Sequence, residues 1–196
     1  MLFRSTTTGT WATGGNLNTA RSQTVGAGTK PAALAFGGSP NFAATTGATE
    51  TYNGTSWTSS PNSLSTSSRY LMGAGTQTSA LRVGGFPDTS AVESWAGTSW
   101  TNGTSFPSAI SQGAATGATN TAIMVIGGEI PARTTNTFTY NGSSWSPQSS
   151  LTGAARSNNS ACGPSTAAFA VGGGTPTGVI ASVESYNGSS WTAVNS

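Results

Sequence analysis

Four short apolar runs, each closed by Gly-Gly, punctuate an otherwise polar chain: ALAF at 33–36, ALRV at 80–83, IMVI at 123–126 and AFAV at 168–171. Being apolar on both faces, such runs predict strands covered from both sides rather than half-exposed edges. A run of small residues precedes each one: Val25 to Gly28, Leu71 to Gly75, Ala114 to Gly117 and Ser160 to Gly163. These predict a first strand, joined to the second by a turn rich in Thr, Pro and Asn. After each Gly-Gly comes a loop containing Pro (Pro40, Pro87, Pro131, Pro176), which cannot sit in a central strand. A third strand then leads to an aromatic residue. Asn-Gly pairs at 53–54, 141–142 and 187–188 predict a two-residue hairpin with positive φ, turning into a fourth strand that starts at a Trp. No helical periodicity is present.

These elements repeat. The motif aromatic-x-Gly-Thr/Ser-Ser-Trp ends at Trp57, Trp100, Trp145 and Trp191, with a degraded copy ending at Trp11; the spacings are 46, 43, 45 and 46 residues. The Gly-Gly pairs begin at Gly37, Gly84, Gly127 and Gly172, spaced 47, 43 and 45. Two independent markers with one period define a unit of about 45 residues and four strands, the size of a propeller blade. The expected fold is all-β: a small β-propeller of four-stranded antiparallel blades in a single domain, 1–196. Its units are 12–57, 58–100, 101–145 and 146–191, with 1–11 a partial unit. Four blades are favoured. A fourth strand at both ends, Trp11 to Gly15 and Trp191 to Asn195, leaves two alternatives: five blades with one incomplete, or chains that associate so that a neighbour covers an open edge. Small first strands fit a position nearest the axis, and Cys162, which stands where other units have Ala27, Ala74 and Thr116, reads as a small buried hydrophobe.

Composition then removes chemistry. Nearly half the 196 residues are Gly (27), Ser (30) or Thr (33), only 6% are charged, and there is no His, one Cys and one Asp. A His-based triad, a Cys-His pair and a zinc cluster all lack their groups, so no catalytic residues, metal or cofactor are expected. The +2 net charge comes from seven scattered basic residues, Lys30 the sole lysine, so nucleic acid is not an expected partner. No apolar stretch is long enough for a membrane span, and the first residues lack the apolar core of a signal peptide. The Asn-x-Ser/Thr matches at Asn53, Asn102, Asn141 and Asn187 read as turn chemistry.

The few charges recur with the period. Arg21, Arg69 and Arg156 stand 15 or 16 residues before their Gly-Gly, and Glu50, Glu93 and Glu184 stand two before the aromatic residue; the third unit has Ser111 and Phe138 instead. Both charges vanish in the same unit. A buried ion stripped of its partner costs several kcal/mol, whereas exchanging both for neutral groups is often close to neutral, so joint loss predicts a buried structural pair within each unit. The tryptophans, fixed at the start of the fourth strand, are expected to pack between blades rather than to stack on sugars; each buries about 200 Å², worth up to about 5 kcal/mol. Phe42, Phe86, Asp88, Glu129 and Arg133 break the repeat within the loops after Gly-Gly, and are the candidate contacts on one loop face.

An Arg, small strand residues, an apolar strand ending in Gly-Gly, and an aromatic residue just before a Trp together resemble kelch repeats, whose members form β-propellers akin to the central domain of galactose oxidase. The phrases NTARSQTVGAGT, ALAFGG and ATETYNGTSWT look like repeat modules of proteins from marine tailed phages and bacteria. The resemblance implies a non-enzymatic virion-associated protein, a decoration, fibre or adhesion module using its loop face, with a carbohydrate-binding lectin as the alternative. Its implied partners are other virion or fibre proteins, further copies of itself, or a surface glycan, and its implied location is the virion, or the extracellular space after lysis. The enzymes of comparable shape need His copper ligands, or several Asp with an arginine cluster, which this chain lacks.

Overall fold

The computed structural model describes residues 13–129 and 131–194. They form sixteen strands in four antiparallel sheets of four, each running in sequence order. The first holds β1 (Val25–Thr29), β2 (Ala32–Phe36), β3 (Thr49–Tyr52) and β4 (Trp57–Ser59). The second holds β5 (Met72–Thr76), β6 (Ser79–Val83), β7 (Val92–Trp95) and β8 (Trp100–Asn102). The third holds β9 (Ala114–Thr119), β10 (Ala122–Ile126), β11 (Thr137–Tyr140) and β12 (Trp145–Gln148). The fourth holds β13 (Ser160–Cys162), β14 (Phe169–Thr175), β15 (Gly178–Tyr186) and β16 (Trp191–Ala193). This is a four-blade, propeller-like, all-β arrangement in which every fourth strand begins at the repeating Trp. The partial unit 1–11 with Trp11, and Asn195, lie outside the described residues; residues 13–15 carry no strand.

First strands line the inside, where β5 packs on β1 and β9, and β9 packs on β13. The glycine that closes each first strand is required there. Gly28, Gly75, Gly117 and Gly163 adopt φ of 100°, 125°, 146° and 100°. A Cβ on any of them would lie 2.1–2.3 Å from a carbonyl oxygen of the following strand or turn, a distance no side chain tolerates. The hairpin between third and fourth strands differs from expectation. Tyr52 pairs with Trp57, so the loop is four residues, 53–56, not two. The Asn53 carboxamide oxygen accepts the N–H groups of Thr55 and Ser56, both at 2.9 Å, and Gly54 alone takes positive φ. Asn141 and Asn187 repeat these bonds, so the Asn serves as a side-chain acceptor rather than as a left-handed residue.

Three apolar cores join the sheets in order. Leu34 and Phe36 of the first sheet meet Ala80, Trp95 and Trp100 of the second. Leu81 and Val83 then meet Ile123, Val125, Tyr140 and Trp145 of the third, and Met124 and Ile126 meet Ala168, Ala170, Tyr186 and Trp191 of the fourth. The tryptophans that open the fourth strands reach back toward the preceding unit: the Trp100 indole donates to Thr49 Oγ1 (2.9 Å), that of Trp145 to the Thr104 carbonyl just past β8 (3.0 Å) and that of Trp191 to Thr137 Oγ1 (3.5 Å). No fourth core joins the last sheet to the first among the described residues. Among the described residues the cores thus run in sequence, from the first sheet to the fourth. Two expectations change as a result. AFAV is covered on one side only, with Phe169 42% and Val171 39% exposed, and Cys162 on the same face is exposed rather than buried.

Candidate functional site

Three buried carboxylates organise the interior of their sheets. Glu50 pairs with Arg21, and Glu184 with Arg156, the side chains of both pairs being almost wholly buried. Each carboxylate also accepts two successive backbone N–H groups from the segment leading into its own sheet: Asn18 and Thr19 onto Glu50, Thr152 and Gly153 onto Glu184. Burial on its own raises the Glu50 pKa, but the Asn18 N–H, Arg21 and the Thr19 N–H outweigh it and hold the carboxyl below its ordinary value. The pairs thus bind the entering segment to the third strand, with a structural role.

The second unit corrects the expected pairing. Glu93 accepts the N–H groups of Ser65 and Thr66 as its counterparts do, yet its cation is Arg82, at 4.0 Å, and not Arg69. Arg82 is the direct cross-strand partner of Glu93, lies fully buried, and donates also to Ala91 O, Thr66 O and Ser68 Oγ. It is the one charge in the four apolar runs, and that was the available signal. Arg69 stands one place later than Arg21 and Arg156 do in their units, pairing with Phe86 as Ser22 and Ser157 pair with Ser39 and Gly174, and turns to the loop edge. Its guanidinium sits 4.5 Å from the Phe86 ring centroid and 5.9 Å from that of Tyr70, and donates to Ala43 O.

The third unit has lost three groups together. Phe138 replaces the carboxylate; Ile110, not Ser111, holds the place of the cation, its carbonyl taking the Gly85 N–H as that of Arg156 takes the Gly128 N–H, while Ser111 pairs with Glu129 as Ser22 and Ser157 pair with their own partners; and Pro107, which has no N–H, stands where Asn18, Ser65 and Thr152 donate. The second donor position is kept by Ser108, which is exposed. Phe106 fills the place instead, packing edge-on against Phe138 (5.0 Å) and Trp145 (4.8 Å), beside a cavity of about 110 Å³ lined also by Ile110 and Asn136.

The loop candidates line one edge. Phe86, Asp88 and Glu129 border a single shallow depression of about 220 Å³ with Ser111, Gln112 and Pro131. Arg133, 3.4 Å from Glu129 and bonded through its Nε to Ser157 Oγ, separates this from a wider depression of about 500 Å³ containing Asn158, Thr175 and Val179. Phe42, 72% exposed, projects from the loop that Arg69 holds at Ala43. Beside these runs a row the sequence does not announce: Gln23, Tyr70, Gln112 and Asn158, the same position in all four units, each left-handed with φ of 56°, 52°, 58° and 53°. Only Asn among them tolerates that region readily. The Gln23 amide donates to the Tyr70 hydroxyl (2.9 Å), Gln112 N to Tyr70 O (3.0 Å), and Asn158 donates to Gln112 through both backbone and side chain (2.6 and 3.0 Å). Side-chain amides and a phenol are thereby chained from sheet to sheet, a strained geometry of the kind that concentrates at ligand-binding positions. Among the described residues no three His, Cys, Asp or Glu gather to hold a metal.

No protein-family model matches the chain, and a search of the curated proteins finds no relative. The likeness to kelch repeats accordingly rests on the repeat markers and on the propeller-like order of the sheets.

Proposed function

We propose that this protein is a non-enzymatic binding module of a virus particle or its fibre, gripping a partner along the loop edge. The observation that carries this reading is the row Gln23, Tyr70, Gln112 and Asn158, held left-handed in every unit beside Phe86 and the Glu129–Arg133 pair. Four sheets spend backbone strain on presenting neutral hydrogen-bonding groups to one edge, which packing alone does not require. A surface dominated by Ser, Thr, Gly and Asn, with 6% charge, also suits a particle that works outside cells and resists nonspecific adhesion. Mass spectrometry of purified particles tests the location: the protein is expected at stoichiometric levels, and a chain confined to the cytosol overturns the reading.

A lectin is the second reading, favoured by Phe86, 41% exposed and backed by Arg69, next to side-chain amides and hydroxyls; aromatic faces and amides are the groups that hold sugars. On a glycan array the lectin reading expects binding that Phe86→Ala abolishes. An array with no signal from the wild-type protein removes it and leaves a protein partner.

A further inference from the structure

We propose that copies of this chain join head to tail, the exposed face of the fourth sheet receiving the first sheet of a second copy. The three internal cores share one plan. The leading sheet contributes alternate residues of its second strand, Leu34 and Phe36 in the first core, and the following sheet answers with its Trp and the aromatic residue before the hairpin. Phe169 and Val171 hold the places of Leu34 and Phe36, and no sheet of the described residues covers them. Tyr52 and Trp57 hold the places of the answering aromatics, their rings 5.0 Å apart and half-buried, with no sheet before them among the described residues. One molecule therefore presents both halves of an interface that it already makes three times within itself.

A polar contact on the same plan sharpens the match. In the inner sheets the first residue of the turn between first and second strands reaches back to the preceding sheet: Gln77 Nε2 donates to the carbonyls of Tyr52 and Ala33, and Asn120 Nδ2 to that of Trp95. In the first sheet that turn position is Lys30, the only lysine of the chain, whose ammonium has three donors and no acceptor. Tyr186 holds the place of Tyr52 and Trp95 in the fourth sheet, so its carbonyl is the acceptor that Lys30 of a second copy would meet. Because the two faces differ, the contact is heterologous and propagates into a closed ring or an open filament, depending on the angle that one chain subtends.

Sedimentation equilibrium tests this on the whole chain. Wild-type protein is expected to weigh a multiple of the single-chain 19.4 kDa. Val171→Asp, which spoils the tail, and Trp57→Asp, which spoils the head, should each be reduced to single chains. Mixed together they should form a complex of two and no more, since each supplies the half that the other lacks. Should Trp57→Asp fail to fold by circular dichroism, Lys30→Glu replaces it, with Lys30→Gln expected to assemble as wild type because Gln occupies that turn in the second sheet. Maleimide labelling of Cys162 should be slower in wild type than in Val171→Asp at equal concentration. Wild-type protein that stays single at all concentrations overturns the inference. So does assembly that survives Trp57→Asp, or a mixture of the two variants that does not associate.

Discussion

The first and third sheets close the same junction, where the entering segment crosses the third strand, with opposite chemistry. In the first, a carboxylate gathers Arg21 and two N–H groups; in the third, Phe106, Phe138 and Trp145 interlock where those charges would stand. The exchange works because it removes the charges together. Cation, anion and one of the two N–H donors go at once, so neither version leaves a buried charge without its counter-charge. What is held constant is satisfaction of the site, and the residue types are free to change only as a set.

Breaking the set gives the largest effect. Phe138→Glu places a carboxylate where Pro107 has no N–H and Ile110 no charge, and should cost about 3–5 kcal/mol in chemical denaturation. Adding Ile110→Arg and Pro107→Ser should recover most of that loss; a triple variant no more stable than the single one would show that the sites are not interchangeable. Glu93→Gln strands Arg82 in the second sheet and is expected to cost about 3 kcal/mol, and an unchanged melting temperature would contradict the structural role. Acid separates the two chemistries next. The folded Glu50 pKa lies below the ordinary 4.5, so its contribution is intact above that value and drains away as pH falls through the lower folded value. Stability should therefore drop on the acid side, and Glu50→Gln should flatten that part of the profile, whereas Phe138→Leu should leave its shape alone. The smallest effect belongs to the hairpins. Asn53→Ala removes an acceptor from two N–H groups that solvent reaches, for a loss of about 1 kcal/mol.

The period, the second strands and the Trp starts were legible because packing between sheets repeats the same demand every 45 or so residues. Arg21 with Glu50 and Arg156 with Glu184 were legible from joint loss in the third unit. Arg82 was not, because a single charge inside ALRV was absorbed into an apolar pattern while Arg69 occupied the expected place in the alignment. Cross-strand pairing, which brings Arg82 opposite Glu93, is a fact of register that spacing alone does not express. The loop edge was legible only in part. Phe86, Asp88 and Glu129 stood out by breaking the repeat, but Gln23, Tyr70, Gln112 and Asn158 share no side-chain chemistry, and what unites them is a backbone angle. The exposed face of the fourth sheet was hidden for a further reason: AFAV carries the same apolar signature as its covered counterparts, and a signature does not say whether its cover is present.

Since, among the described residues, every sheet leans only on its neighbours in sequence, the inner two are braced by two cores apiece and the outer two by one. Melting should consequently begin by fraying, with amide protons of β1 and β13 trading with solvent well before those of β5 and β9. A chain so built behaves like a short stack of cards clasped at its centre, and anything that clamps its two loose ends would lengthen its lifetime more than any improvement to the middle.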